Sequence, residues 1–66
     1  MAKMTLRAAR VNAGLSQTEA ANLLNVSKTT LVKWEKGLTF PNVPAIEKIC
    51  DLYRTHYDDI IFLPVN

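Results

Sequence analysis

Residues 16–37 read SQTEAANLLNVSKTTLVKWEKG, and this stretch contains two helix starts separated by one turn. Ser16 and Glu19 have the S-x-x-E spacing of a capping box, in which each side chain bonds to the backbone of the other residue. Asn25 tolerates the left-handed backbone that ends a helix sharply, and Ser27 can cap the helix that follows. The stretch therefore predicts two short helices joined by a three-residue turn.

The two predicted helices carry the side chains that a close crossing needs. Ala20 and Ala21 are small residues on the inner face of the first helix. The second helix is expected over Lys28–Lys36, and it carries Leu31 and Trp34 three residues apart on one face. That spacing favours Trp34 as a core residue rather than a platform for stacking bases. With a polar outer face on the second helix, the pair has the plan of a helix-turn-helix.

Apolar periodicity predicts further helices on both sides of this unit. A first helix is expected from Thr5 to about Ala13, before the helix-stopping Gly14. After a loop over residues 38–41, Asn42 can cap a fourth helix. The apolar stripe of this fourth helix consists of Ile46, Ile49, Cys50 and Tyr53.

The last helix is expected from Tyr57 to Phe62, with His56 as its cap and Asp58 and Asp59 at its positive N-terminal end. An acid-base site at these residues would need a nucleophile, a metal-ligand set or a glycine-rich loop, and none accompanies them. We therefore expect no enzyme activity, no cofactor and no metal. The helices together predict the all-α class, with residues 1–66 forming one compact domain of four to five helices.

Length and composition fit a single small globular domain. The chain has 66 residues, of which 48% are hydrophobic, with two Gly and three Pro. Its one cysteine, Cys50, cannot form an internal disulfide, and we interpret it as a small core hydrophobe. No run approaches the roughly 20 apolar residues of a membrane span, and no signal peptide is evident. We expect a cytoplasmic protein that makes no contact with a membrane.

Charge is distributed unevenly along the chain. Residues 1–36 carry six basic and two acidic side chains, a net charge of +4, whereas residues 37–66 carry two basic and four acidic ones, a net charge of −2. One end of the domain could therefore face phosphates while the other faces away. A surface with randomly placed charges is the alternative interpretation of this pattern.

Residues 5–63 resemble the Cro/repressor-like family of phage and bacterial regulators, also called the xenobiotic-response-element family. The matching positions are Arg10, residues 15–21, Leu24, Val26, Ser27, Thr30, Leu31, residues 34–37 and Pro41. Asn25 departs from the glycine common in the turn, and Val32 is apolar where many members read bases with a polar residue. The resemblance implies a lambda-repressor-like fold, with the helix-turn-helix at about residues 16–36, and a sequence-specific DNA-binding transcriptional regulator.

The resemblance also implies roles for individual residues. Arg10 and Glu35 would form an internal ion pair, and Gln17 would hold a phosphate at the start of its helix. The expected base contacts are Lys28, Thr29, Val32 and Lys33. The expected DNA-backbone contacts are Gln17, Ser27, Thr30, Lys36, Thr39 and Asn42. For each lysine, a solvated or phosphate-facing side chain is the competing interpretation.

The expected partner is double-stranded DNA, bound at a two-fold operator by a homodimer that forms in solution or mainly on DNA. No small-molecule ligand is inferred. The candidate dimer surface is the apolar tail of Ile60, Ile61, Phe62, Leu63 and Val65. The alternative is a protein-interaction module, such as an antitoxin or an adaptor, built on the same fold. A long partner-binding tail would favour that alternative, and this chain shows none.

Overall fold

Four α-helices and a very short parallel sheet make up the fold in the computed structural model, which describes residues 3–62. The helices are α1 (Leu6–Asn12), α2 (Gln17–Leu24), α3 (Lys28–Lys36) and α4 (Val43–Tyr53). The strands are β1 (Met4–Thr5) and β2 (Ile60–Ile61), and a 3-10 turn at Tyr57–Asp59 precedes β2. The predicted class of small helical domains is confirmed, with the sheet as a minor addition.

The predicted caps of α2 and α3 are confirmed. The Glu19 amide donates to Ser16 Oγ at 3.1 Å, and the Ser16 amide donates to Glu19 Oε1 at 3.0 Å, which completes the capping box. Asn25 ends α2 in the left-handed region, with φ 59°. Ser27 Oγ then accepts from the Thr30 amide at 3.1 Å. These local bonds fix the sharp turn between α2 and α3.

The flanking helices begin in the same way. Thr5 Oγ1 accepts from the Ala8 amide at the start of α1, and Asn42 Oδ1 accepts from the Ala45 amide at the start of α4. Helix α4 ends at Arg54, which takes the left-handed conformation that glycine or asparagine usually supplies.

The predicted fifth helix is wrong. Only a 3-10 turn forms at Tyr57–Asp59, and His56 precedes it without a side-chain capping bond. Ile60 and Ile61 are extended instead, and β2 pairs in parallel with β1 so that Met4 lies beside Ile60. Two consecutive β-branched residues prefer an extended backbone to a helical one, and burial of Ile60 against the core stabilises that choice. This pairing adds a two-stranded sheet of four residues to the mostly helical fold.

The core lies among the four helices, where α2 packs against both α3 and α4, and α1 packs against the same two helices. Leu31 and Ile49 are fully buried at its centre, and Ala20 is fully buried where α2 and α3 cross. Trp34 is buried, as its helical spacing from Leu31 predicted. The complete set of buried apolar residues is Leu6, Ala9, Ala20, Ala21, Leu24, Leu31, Trp34, Ile49, Tyr53 and Ile60. Each large member would leave a costly cavity if truncated.

Two predictions about apolar residues need correction. Cys50 is half-buried beside the core rather than inside it, and its partial burial, together with the charge of Asp51, raises the pKa of the thiol. Ile60 is a core residue, so it does not belong to an exposed apolar tail. Leu63 and Val65, which were also expected in that tail, lie outside the described residues.

Candidate nucleic-acid interface

The outer face of α3 presents the four expected base-contacting residues together. Lys28, Thr29 and Lys33 are exposed, and Val32 is half-buried beside them. Lys28 and Val32 are four positions apart, as are Thr29 and Lys33, so each pair lies on one side of the helix. The two pairs are offset by one residue and together form one continuous face. Leu31 and Trp34 occupy the opposite, buried side. Helix α3 is therefore held by its apolar side and offers two cations, a hydroxyl and a methyl-bearing side chain to solvent.

Among the expected DNA-backbone contacts, three are also engaged in helix starts. Ser27 Oγ lies 2.9 Å from Thr30 Oγ1, in addition to accepting from the Thr30 amide. The side-chain oxygen of Asn42 is occupied by the cap of α4, which leaves its amide N–H groups to donate elsewhere. Lys36 and Thr39 are exposed at the end of α3 and in the following loop. These polar groups lie in the α2–α3 turn, in the first and last turns of α3, and in the α3–α4 loop.

A buried ion pair joins α1 to the end of α3. Arg10 Nε donates to Glu35 Oε2 at 2.8 Å, and Arg10 Nη2 lies 3.5 Å from Glu35 Oε1. The two side chains are only 8% and 4% exposed. Arg10 Nη1 also donates to the Leu15 carbonyl at 2.8 Å, which ties the loop before α2 to the pair. A buried pair of this kind needs such additional bonds, since each charge has lost its hydration.

Gln17 belongs to the same network, which the sequence did not indicate. It is the first residue of α2, is half-buried, and donates from Nε2 to Glu35 Oε1 at 3.1 Å. We define Arg10, Gln17 and Glu35 as the Glu35 network. Because Gln17 and Glu35 are 18 positions apart, no local spacing could have revealed the bond.

The start of α2 also provides backbone donors. The backbone amides of Glu19 and Ala20 donate to Ser16 Oγ and to the Ser16 carbonyl, respectively. The backbone amides of Gln17 and Thr18 lie too early in α2 to have a carbonyl acceptor within the helix. Bonds from the backbone amide and the hydroxyl of Ser16 lower the pKa of the Glu19 carboxyl, so this group is ionised at neutral pH. Two backbone N–H groups therefore remain at the positive end of α2, where anions are favoured.

Tyr53 packs near the Glu35 network from α4. Its hydroxyl is buried and has no hydrogen-bond partner among the described residues. Burial, and to a smaller extent the negative charge of Glu35, raise the pKa of Tyr53 to about 12, while the positive charge of Arg10 opposes this shift. The phenol is therefore neutral over the physiological range. Its position on the apolar stripe was predicted, but its proximity to the ion pair was not.

On another part of the molecule, apolar side chains are exposed together. We define the aromatic surface as Phe40, Val43, Ile46, Tyr57 and Phe62. The Phe62 ring centroid lies 6.4 Å from that of Phe40 and 5.7 Å from that of Tyr57. Val43, Ile46 and Tyr57 line a shallow groove beside these rings. Of this group, Phe40, Val43 and Tyr57 are more than half exposed.

Over residues 3–62, no three potential metal-ligating side chains lie close enough together to hold a metal ion. Within that same range, no helix has the length and apolar character required to cross a bilayer.

The chain matches a known domain family and two curated proteins. A sequence model of the family described as "Helix-turn-helix domain" matches residues 4–60. The chain is 30% identical over 56 residues to the HTH-type transcriptional activator BcrR of Enterococcus faecalis. It is 36% identical over 56 residues to the cryptic phage CTXphi transcriptional repressor RstR of Vibrio cholerae. These matches confirm the resemblance inferred from the sequence.

The two relatives are longer than this chain. Each alignment covers 85% of this chain. The aligned segment is 28% of the activator and 50% of the repressor. The chain thus spans half or less of the length of these curated relatives. No solved structure matches the chain at a significant level.

Proposed function

We propose that this chain, which belongs to the helix-turn-helix domain family of DNA-binding transcription regulators, recognises a specific DNA sequence by placing α3 in the major groove. The observation that carries the proposal is the arrangement of α3. Its polar face is exposed while Leu31 and Trp34 anchor the opposite side in the core. A helix held in this way can enter a groove without losing its own packing.

Base recognition is assigned to the exposed face of α3. Lys28 and Lys33 can donate to O6 and N7 of guanine, and Thr29 can offer its hydroxyl or contact a thymine methyl group. Val32 is half-buried and can add an apolar contact to a thymine methyl group. Because these groups differ in chemistry, the face selects among base pairs rather than attracting phosphates alone.

Contacts to the DNA backbone are assigned to the edges of the same unit. The proposed contacts are Gln17, Ser27, Thr30, Lys36, Thr39 and Asn42. The backbone amides at the start of α2 would add donors beside Gln17. These contacts fix the register of α3 on the duplex and carry no base information of their own.

We further propose that two copies bind a two-fold operator, each placing its α3 in one half-site about one helical turn from the other. The aromatic surface is the proposed contact between the copies. It replaces the apolar tail expected from the sequence, since Ile60 is in the core while Phe40, Val43 and Tyr57 are exposed. Pairing on DNA would remove this apolar area from water.

The biological role is proposed to be repression in the cytoplasm, without catalysis. Occupying an operator is sufficient to exclude other proteins from it, whereas activation requires a further contact with the transcription machinery. One relative is a repressor and the other an activator, so the sign of regulation in this chain is part of the proposal. The aromatic surface also favours a second candidate function, in which the domain binds a different protein.

Selection from a random duplex library tests the proposed function. The purified protein is expected to enrich a two-fold motif, and affinity for the enriched duplex is expected to fall between about 50 and 200 mM salt as phosphate contacts are screened. Binding that falls with salt but enriches no motif would contradict sequence-specific regulation and would favour the protein-interaction function.

A further inference from the structure

The Glu35 network links the two parts of the domain that would hold phosphates and bases. Glu35 lies in the last turn of α3, the helix with the proposed base-reading face, and its carboxylate accepts from Gln17 at the first position of α2. The same carboxylate is fixed by Arg10, which is anchored to the Leu15 carbonyl. The start of α2 and the end of α3 are therefore joined by one charged acceptor.

We infer that Glu35 is a positioning residue for DNA binding, which holds the Gln17 amide so that its second N–H faces the same phosphate as the backbone amides of α2. The amide group of Gln17 has two N–H donors, and one is directed to Glu35 at 3.1 Å. Because the amide is planar, fixing one N–H also fixes the direction of the other. This inference rests on the proposed function, since it names how one of its phosphate contacts is prepared.

Holding the amide before DNA arrives has a direct effect on affinity. A free glutamine on a helix surface samples many rotamers, and a phosphate contact would have to order it. Here Gln17 is half-buried and its bond is to a carboxylate that is itself 96% buried at the side chain, so the rotamer is fixed in the free protein. Binding then requires less ordering of the side chain, which raises affinity without a new contact to DNA.

Neutralising single phosphates distinguishes positioning of Gln17 from an effect of Glu35 on stability alone. Neutral methylphosphonate groups are placed one at a time in the enriched duplex, and affinities are measured for the wild type, Gln17→Met and Glu35→Gln. At one phosphate in each half-site, neutralisation is expected to weaken the wild type roughly tenfold and Gln17→Met clearly less, because only the backbone amides of α2 still contact that phosphate in the variant. Glu35→Gln is expected to show the same reduced sensitivity as Gln17→Met at this phosphate and wild-type sensitivity at the others. The control is Asp51→Asn, which neutralises an exposed carboxylate on α4 and is expected to match the wild type.

Full wild-type sensitivity of Glu35→Gln at the phosphate coupled to Gln17 would overturn the inference and leave the proposed function standing. Absence of any specific duplex for the wild type would overturn both. Since Glu35→Gln removes the counter-charge of a buried arginine, its folding is checked by thermal melting. If it does not fold, the side-chain amide signals of Gln17 in the wild type decide the question. One N–H proton is expected to be shifted from the free-glutamine position before DNA is added, and the other only afterwards; free-glutamine positions for both before DNA would overturn the inference.

Discussion

The Glu35 network and the aromatic surface differ in which kind of side chain is hidden from water. In the network, an arginine and a glutamate are more than 90% buried and are satisfied by each other, by Gln17 and by a backbone carbonyl. In the aromatic surface, Phe40 and Tyr57 are more than half exposed. Buried charges must find partners for the chain to fold, whereas exposed rings contribute little to folding. The network should therefore govern stability, and the aromatic surface should govern association.

Arg10→Met gives the largest expected loss of stability. Glu35 would remain buried without its counter-charge, and the free energy of unfolding is expected to fall by about 3 kcal/mol. Urea denaturation followed by the fluorescence of the buried Trp34 measures this loss. Arg7→Met, an exposed change on the same helix, is the control and should stay within about 0.5 kcal/mol of the wild type. An unchanged urea midpoint for Arg10→Met would mean that the network does not stabilise the fold.

Ser16→Ala gives a smaller loss, because it removes one half of a capping box at an exposed helix start. The expected cost is about 1 kcal/mol in the free energy of unfolding at neutral pH. The pKa of Glu19 is lower in the folded state than its ordinary value, chiefly through the Ser16 backbone amide. The contribution of ionised Glu19 to the free energy of unfolding is therefore present above the unfolded-state pKa of this carboxyl. It is lost as pH falls through the folded-state pKa of the same group.

Urea denaturation of wild type and Ser16→Ala at pH 7 and at about pH 3 checks both parts of this prediction. The difference between the two proteins should shrink at the acidic pH, since only the wild type has the Ser16 hydroxyl that helps to lower the pKa of Glu19, and protonation of Glu19 removes that advantage. A difference that grows on acidification would show that the cap stabilises the helix by another route.

Phe40→Ser gives the smallest expected loss of stability and the clearest loss of association. The ring is 56% exposed, so the free energy of unfolding should change by less than about 0.5 kcal/mol. Sedimentation equilibrium with and without the two-fold duplex should nevertheless show fewer paired copies. The matched control is Leu23→Ser, which removes a similarly exposed apolar residue from α2. Equal pairing by both variants would exclude the aromatic surface as the contact between copies.

The parts of this structure that depend on nearest neighbours along the chain were predictable. Ser16, Ser27 and Asn42 each cap a helix through an atom three residues away, so the residue types and their spacing were sufficient. The apolar spacing of Leu31 and Trp34 likewise placed α3 against the core. Short-range chemistry therefore gave the helix-turn-helix and the outward face that would read bases.

The parts that depend on distant neighbours were not predictable. Gln17 meets Glu35 across 18 positions, and Met4 pairs with Ile60 from the other end of the chain. A strand of two residues is too short to show alternation, so the sequence at Tyr57–Phe62 was interpreted as a helix. The same long-range folding took Ile60 into the core and assembled the aromatic surface from the α3–α4 loop, α4 and residues near β2.

The proposal that α3 reads bases is best tested by comparing Lys28→Ala with Lys48→Ala on the enriched duplex and its single-base variants. Both lysines are exposed, but Lys28 begins α3 and Lys48 lies on α4. Lys28→Ala is expected to weaken binding by about 1–3 kcal/mol and to abolish the preference at one base pair of each half-site. Lys48→Ala is expected to retain both affinity and preference. Loss of affinity by Lys28→Ala that is equal for every base variant, with the preference intact, would contradict base reading by this residue.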